Sequence, residues 1–131
     1  WKPLMDSGGS PWRWGYDTIK ERKGAHRVMA MLKGEQSKRK RPYVLIGNEP
    51  WAECVARIME CIEAGCEPHV QPEIKLSARE KEFWVRFDWT APELRRVQKW
   101  VNSFAFRSCA LKDFNPRLQR DLYDAEQGLF V

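Results

Sequence analysis

Apolar positions change their period several times along the chain. Trp12-Arg13-Trp14-Gly15-Tyr16 alternates bulky aromatics with polar or small residues. That is the two-residue period of a short strand with Trp12, Trp14 and Tyr16 on one face. Asp17 then stands as a helix N-cap, and Ala25, Val28, Met29 and Leu32 recur at helical spacing between residues 18 and 33. Gly24 inside this helix costs about 1 kcal/mol relative to Ala. Pro42-Tyr43-Val44-Leu45-Ile46-Gly47 is short, continuous and apolar with a glycine stop, the pattern of a strand buried on both faces. Asn48 or Glu49 caps the next helix, with Pro50 in its first turn. Its apolar stripe is Trp51, Val55, Ile58, Met59 and Ile62, and Glu53, Arg57, Glu60 and Glu63 take the opposite face. Gly65 suits the position just past the helix end.

Residues 67–72 read as a third short strand, residues 73–81 as an irregular connection and residues 83–87 as extended chain. Thr90-Ala91-Pro92-Glu93 is a capping box, with Trp89 placed to staple onto Leu94. The helix it opens presents Leu94, Val97, Val101 and Phe104 on one side, and Arg95, Arg96, Lys99 and Ser103 on the other. A last short helix is expected from Asn115-Pro116 onward, using Leu118 and Leu122. Strand, helix, strand, helix, strand, then helices is the order of consecutive βα units with right-handed crossovers and a parallel sheet. Three such strands leave two open edges, and covering both faces needs more helix than the pattern supplies. The expected fold class is therefore α/β: a partial, half β/α barrel plus C-terminal helices. Residues 1–131 are expected to form a single domain or domain fragment. Residues 12–72 make the βαβαβ core, and residues 73–131 the connection and C-terminal helices. The chain opens on Trp1 rather than Met, which fits a processed protein or a piece of a longer one.

Composition narrows the class. The 131 residues are 43% apolar and 31% charged, with a mean hydropathy of −0.65, enough apolar content for a real core and too much for a disordered chain. No apolar run approaches the roughly 20 residues of a membrane helix, and residues 1–10 lack the continuous apolar segment of a secretory signal. Both facts argue for a cytoplasmic protein with no membrane partner. The net charge is +5, but between Thr18 and Pro42 nine cations face two anions, a local +7 that leaves −2 for the rest. This strip reads either as a solvated helix face followed by a polar loop or as a surface for phosphate backbones.

The cysteines are Cys54, Cys61, Cys66 and Cys109, with no C-x-x-C pair, and His26 lies far from His69. Such spacing does not build a structural zinc site, so no metal ligands are assigned. Cys54 and Cys61 stand about 10 Å apart along a helix, beyond disulfide reach. Reduced thiols are expected. No catalytic residue is assigned either.

In parallel sheets, ligands gather at the carboxyl ends of the strands. Here those ends are Tyr16-Asp17, Gly47-Asn48-Glu49 and Val70-Gln71. Gly47 either admits a flat ligand close to the backbone or simply makes a turn. Asp17 either binds sugar hydroxyls or caps a helix. His69 reads as a hydrogen-bonded strand residue or as a base.

Tyr43-Val44-Leu45-Ile46-Gly47-Asn48-Glu49-Pro50, the helix from Cys54 to Ala64, and Gly65-Cys66-Glu67-Pro68-His69-Val70-Gln71-Pro72 together resemble the later part of a radical S-adenosylmethionine enzyme. The resemblance is to phage and bacterial members of that superfamily whose strand ends in V-L-I-G. In that family the fifth strand carries G-x-I-x-G-x-x-E beside the adenine of S-adenosylmethionine. Tyr43, Leu45 and Gly47 match its first, third and fifth places, with Tyr for Gly and Leu for Ile. Pro50 takes the eighth place, which displaces the acidic residue to Glu49 or Glu53. Residues 12–17 then resemble the fourth strand, with Asp17 as the ribose contact, and His69-Val70-Gln71 the sixth, which closes the adenine pocket. The resemblance implies a cofactor site of Asp17, Tyr43, Leu45, Gly47, Glu49, Val70 and Gln71. The family's C-x-x-x-C-x-x-C, which holds a [4Fe–4S] cluster, does not occur among these cysteines. The first three strands do not occur either. The implied assignment is the carboxyl-terminal half of an iron–sulfur oxidoreductase, with the cluster ligands and a partner half outside this chain. Two other classes stay open on the residues alone. Seven Trp and the +7 segment suit a small nucleic-acid-binding module. An uncovered surface over residues 94–106 suits a non-catalytic interaction domain.

Overall fold

Three stretches of chain lie side by side and run in one direction. The computed structural model describes residues 10–76 and 82–115. Its helices are α1 (Arg22–Met31), α2 (Trp51–Glu63) and α3 (Ala91–Asn102), and its strands β1 (Tyr43–Ile46) and β2 (His69–Pro72). β1 and β2 pair in parallel, Tyr43 opposite His69 through Ile46 opposite Pro72. Residues 12–16 flank β1 on its other side through two single parallel bridges, Trp12 to Lys40 and Gly15 to Tyr43. Main-chain hydrogen bonds of 2.7 Å from Tyr43 N to Trp14 O and 2.8 Å from Tyr16 N to Tyr43 O close this pairing. The molecule is thus mixed α/β, with a small parallel sheet and three α-helices among the described residues.

All three helices pack on one face of that sheet. Val44, Ile46 and Val70 point into a core shared with Ala25 and Met29 of α1, Cys54, Ile58 and Cys61 of α2, and Leu94, Val97, Trp100 and Val101 of α3. The strand expected to be buried on both faces therefore alternates. Tyr43 is 40% exposed and Leu45 half-buried, while Val44 and Ile46 are buried. The physical reason is one-sided covering: an alternating strand exposes every second residue when helices lie on a single face.

The helix ends follow local chemistry in part. Gly65, at φ +80°, ends α2 in a Schellman motif, with Cys66 N bonded to Cys61 O and Gly65 N to Ile62 O, both at 2.9 Å. Thr90 caps α3 by accepting from Glu93 N. Other caps are rearranged. Asp17 does not cap the first helical segment, which starts as a tight turn at Ile19–Glu21 behind Thr18. Its amide at Ile19 is instead capped by the carboxylate of Glu49, at 3.1 and 3.2 Å. Neither Asn48 nor Glu49 caps α2, whose N-cap is Pro50. Residues 83–87 pair only through an antiparallel bridge of Phe83 to Ile74, and Phe87 turns to φ +57°. The helix expected from Asn115-Pro116 lies outside the described residues.

The largest correction concerns α2. Its buried stripe is Cys54, Arg57, Ile58 and Cys61, rotated from the expected one, because the cysteines behave as core hydrophobes and Arg57 turns inward. The far edge of β2 meets no strand among the described residues. There the Asn102 carboxamide bonds Val70 N at 2.8 Å and Val70 O at 2.9 Å, standing in for a neighbouring strand.

Candidate functional site: a cleft at the carboxyl end of the sheet

The carboxyl ends of residues 12–16 and β1 are tied together by one buried cation. Arg57 is fully buried. Its Nη1 donates to Tyr16 O at 2.7 Å and Leu45 O at 2.9 Å, and its Nη2 to Asn48 Oδ1 and Cys54 Sγ, both at 3.2 Å. Its Nε lies 3.0 Å from Glu49 Oε1, an ion pair in which the Nε–H points off the hydrogen-bond line. Asn48 Nδ2 returns a bond to Asp17 O at 2.6 Å, and Trp89 Nε1 donates to Glu49 O at 2.9 Å. Sequence reasoning placed Arg57 on the solvent face of α2 because of its charge. The signal that points inward is its spacing, three after Cys54 and four before Cys61.

Above this clamp, on the sheet face that no helix covers, lies a cleft of about 560 Å³, within the range of small-molecule sites. Leu45 and Gln71, opposite each other in the register, form its floor. Ile74, Leu76 and Phe83 wall it, and Glu73 closes its rim. The wall exists because the chain doubles back after β2: Lys75 N bonds Glu82 O at 3.0 Å and Trp84 N bonds Glu73 O at 2.8 Å. An ion pair from Arg86 to Glu73 holds the rim. A flat apolar group could lie on Leu45 against Phe83, with polar atoms at Gln71.

The residues singled out by sequence are distributed as follows. Asp17 accepts from Leu45 N through Oδ1 at 3.1 Å, and its Oδ2 lies over Gly15 on the open face. Tyr43 is on the same face but at the amino end of β1, next to His69. Gly47 is buried at φ +86°, where an added methyl would come 3.2 Å from Leu94 Cδ2 and 3.8 Å from Trp84 O. Glu49 is engaged by Arg57 and Ile19 N. The Val70 side chain lies in the core. Gln71 is exposed and donates to Pro72 O at 3.1 Å. The fold thus brings Leu45 and Gln71 into one cleft, and the main chain links Leu45 to Asp17 beside it.

On the helix side, Tyr16, Arg22 and His26 converge on the Glu60 carboxylate, the first at 2.9 Å. Burial, then the bond to Glu60, pushes the Tyr16 phenol up to about 12. This cluster fastens residues 12–16 and α1 to α2. Cys54, Cys61 and Cys66 are buried in the core, and burial pushes all three thiols upward, Cys66 to about 11. Among the described residues no three His, Cys, Asp or Glu side chains come together as metal ligands, and no helix is long and apolar enough to cross a membrane.

No protein-family model, no curated protein and no solved structure matches this chain.

Proposed function

We propose that this chain is the carboxyl-terminal portion of a radical S-adenosylmethionine iron–sulfur oxidoreductase, holding the adenine and ribose side of the cofactor. The observation that carries the reading is the cleft on the uncovered sheet face, with Leu45 and Gln71 side by side at its floor. Helices confined to one face are what a piece of a β/α barrel requires, since the other face turns toward the barrel interior. The partial barrel, completed by a partner half, belongs to this proposal, as does a cytoplasmic setting that keeps four thiols reduced.

S-adenosylmethionine supplies a sulfonium whose reductive cleavage yields a radical. The residues here bind and orient it. Leu45 and Phe83 sandwich the base, Gln71 Oε1 takes its exocyclic amine, and Asp17 Oδ2 accepts a ribose hydroxyl. Arg57 positions Asp17 and Leu45 by gripping the carbonyls on either side of the gap between their strands. No step is assigned to the cluster, whose ligands this chain does not hold.

Isothermal titration of the full chain with S-adenosylhomocysteine tests the binding, with Leu45→Asp as comparison. Saturable binding lost by at least tenfold in Leu45→Asp is expected, since a charge would be buried under the base. No binding, or binding indifferent to Leu45→Asp, refutes the cleft as the nucleoside site. Independently, an upstream reading frame without C-x-x-x-C-x-x-C refutes the family assignment.

A further inference from the structure

We propose that the amino end of the uncovered sheet face, opposite to the cleft, binds single-stranded nucleic acid. The pairing of Trp12 with Lys40 and Gly15 with Tyr43 sets Arg13 beside Arg41 on neighbouring strands, both on the odd-numbered, open face. Like charges directly across a strand pair repel, and an intramolecular carboxylate would ordinarily sit between them. Here none does among the described residues. Arg13 donates to the Tyr43 hydroxyl and lies 5.4 Å from its ring centroid. Arg41 donates to the main-chain oxygen of Glu67 at 3.4 Å. The Glu67 carboxylate is taken by Arg107.

Rings alternate with these cations. Tyr43 stands edge to face with His69 at 5.7 Å. Phe104 lies between Arg41 at 5.7 Å and Arg107 at 4.6 Å, held there at φ +63° by the end of α3. Burial, then Arg41 and Arg13, lower the pKa of His69, and its ring adds an aromatic edge beside Tyr43. Guanidinium groups neutralise successive phosphates while aromatic faces take the bases, which is how sequence-tolerant single-strand sites are made. Tyr43, in the middle of the strip, is 40% exposed, and small ligands need concave sites. A polymer bound through several weak contacts suits it better. Asp17, Leu45 and Gln71 take no part, so this inference stands apart from the nucleoside reading.

Fluorescence anisotropy of a labelled oligothymidylate with the full chain tests it. Two phosphate contacts, at Arg13 and Arg41, predict a log–log salt slope of about −1.4, or about 7-fold weaker binding between roughly 50 and 200 mM salt. Arg13→Gln with Arg41→Gln should bring the slope close to zero and weaken binding at the lower salt by about tenfold. Tyr43→Leu should weaken binding about fivefold or more with the slope unchanged. Lys20→Gln with Lys23→Gln, on the exposed side of the basic segment, should change neither. No binding at the lower salt overturns the proposal. So does a slope that survives loss of Arg13 and Arg41, or binding lost equally in the Lys20 and Lys23 variant.

Discussion

Replacing Arg57 by Met removes the guanidinium and keeps an apolar stem of similar length in the core. The carbonyls of Tyr16 and Leu45, the Asn48 amide oxygen and Cys54 Sγ lose this donor, and the Glu49 carboxylate is left with the Ile19 amide and no countercharge. The Arg57 side chain is 0% exposed and that of Glu49 only 18%, so water reaches the vacated positions poorly. Breaking a buried ion pair from one side costs about 3–5 kcal/mol. Domains are stable by only about 5–15 kcal/mol, so a large share of the total is at stake. For a chain of this size the loss corresponds to a fall in Tm of roughly 10–20 °C. Urea unfolding followed by tryptophan emission reads it directly, because Trp12, Trp89 and Trp100 are buried and shift on exposure. Adding Glu49→Gln to Arg57→Met removes the stranded charge and should restore about 1–2 kcal/mol. A loss under about 1 kcal/mol for Arg57→Met, or no recovery in the double variant, would refute the argument that this cation holds the carboxyl end together.

Gly47→Ala places a side chain at φ +86° and within 3.2 Å of Leu94. It should cost at least about 1–2 kcal/mol, and an unchanged urea midpoint would count against the tight packing. Asn102→Ala strips the open edge of β2 of both its bonds to Val70. A loss of about 1–3 kcal/mol and faster hydrogen exchange at the Val70 amide are expected. Burial raises the Glu60 carboxyl, but bonds from Arg22, His26 and Tyr16 outweigh it and hold the pKa below its ordinary value. A carboxyl depressed on folding contributes stability above its unfolded pKa and loses it as pH falls through the folded value. Acid titration of stability should therefore be steeper in the wild type than in Glu60→Gln, and parallel curves would show that the cluster contributes nothing.

What the amino-acid order determined by itself is the set of features that depend on near neighbours. The period of two at Trp12, Trp14 and Tyr16, the apolar run before Gly47, and helices between successive strands were enough to imply parallel pairing. The pairing of residues 12–16, β1 and β2 has that sense. Thr90 with Glu93 and the glycine at 65 marked helix ends for the same reason, since a cap is made within a few residues. Leu45 and Gln71 were singled out through the family resemblance and, for Gln71, its place at a strand end, whereas their shared open face and register came from the fold.

Only the tertiary structure decided what each charge is for. Arg57 reads as a surface residue from its type, yet its partners are carbonyls and a carboxylate contributed by residues 16, 45, 48 and 49. Asp17 and Glu49 read as caps for the segments that follow them. Instead, Asp17 takes an amide of β1 and Glu49 takes one ahead of α1. The cleft wall likewise needs Phe83 to return to Ile74, a contact no periodicity encodes. A buried polar group must be satisfied, but its donor or acceptor can come from any part of the chain. Which part supplies it is settled only when the helices close over one face of the sheet and leave the other open.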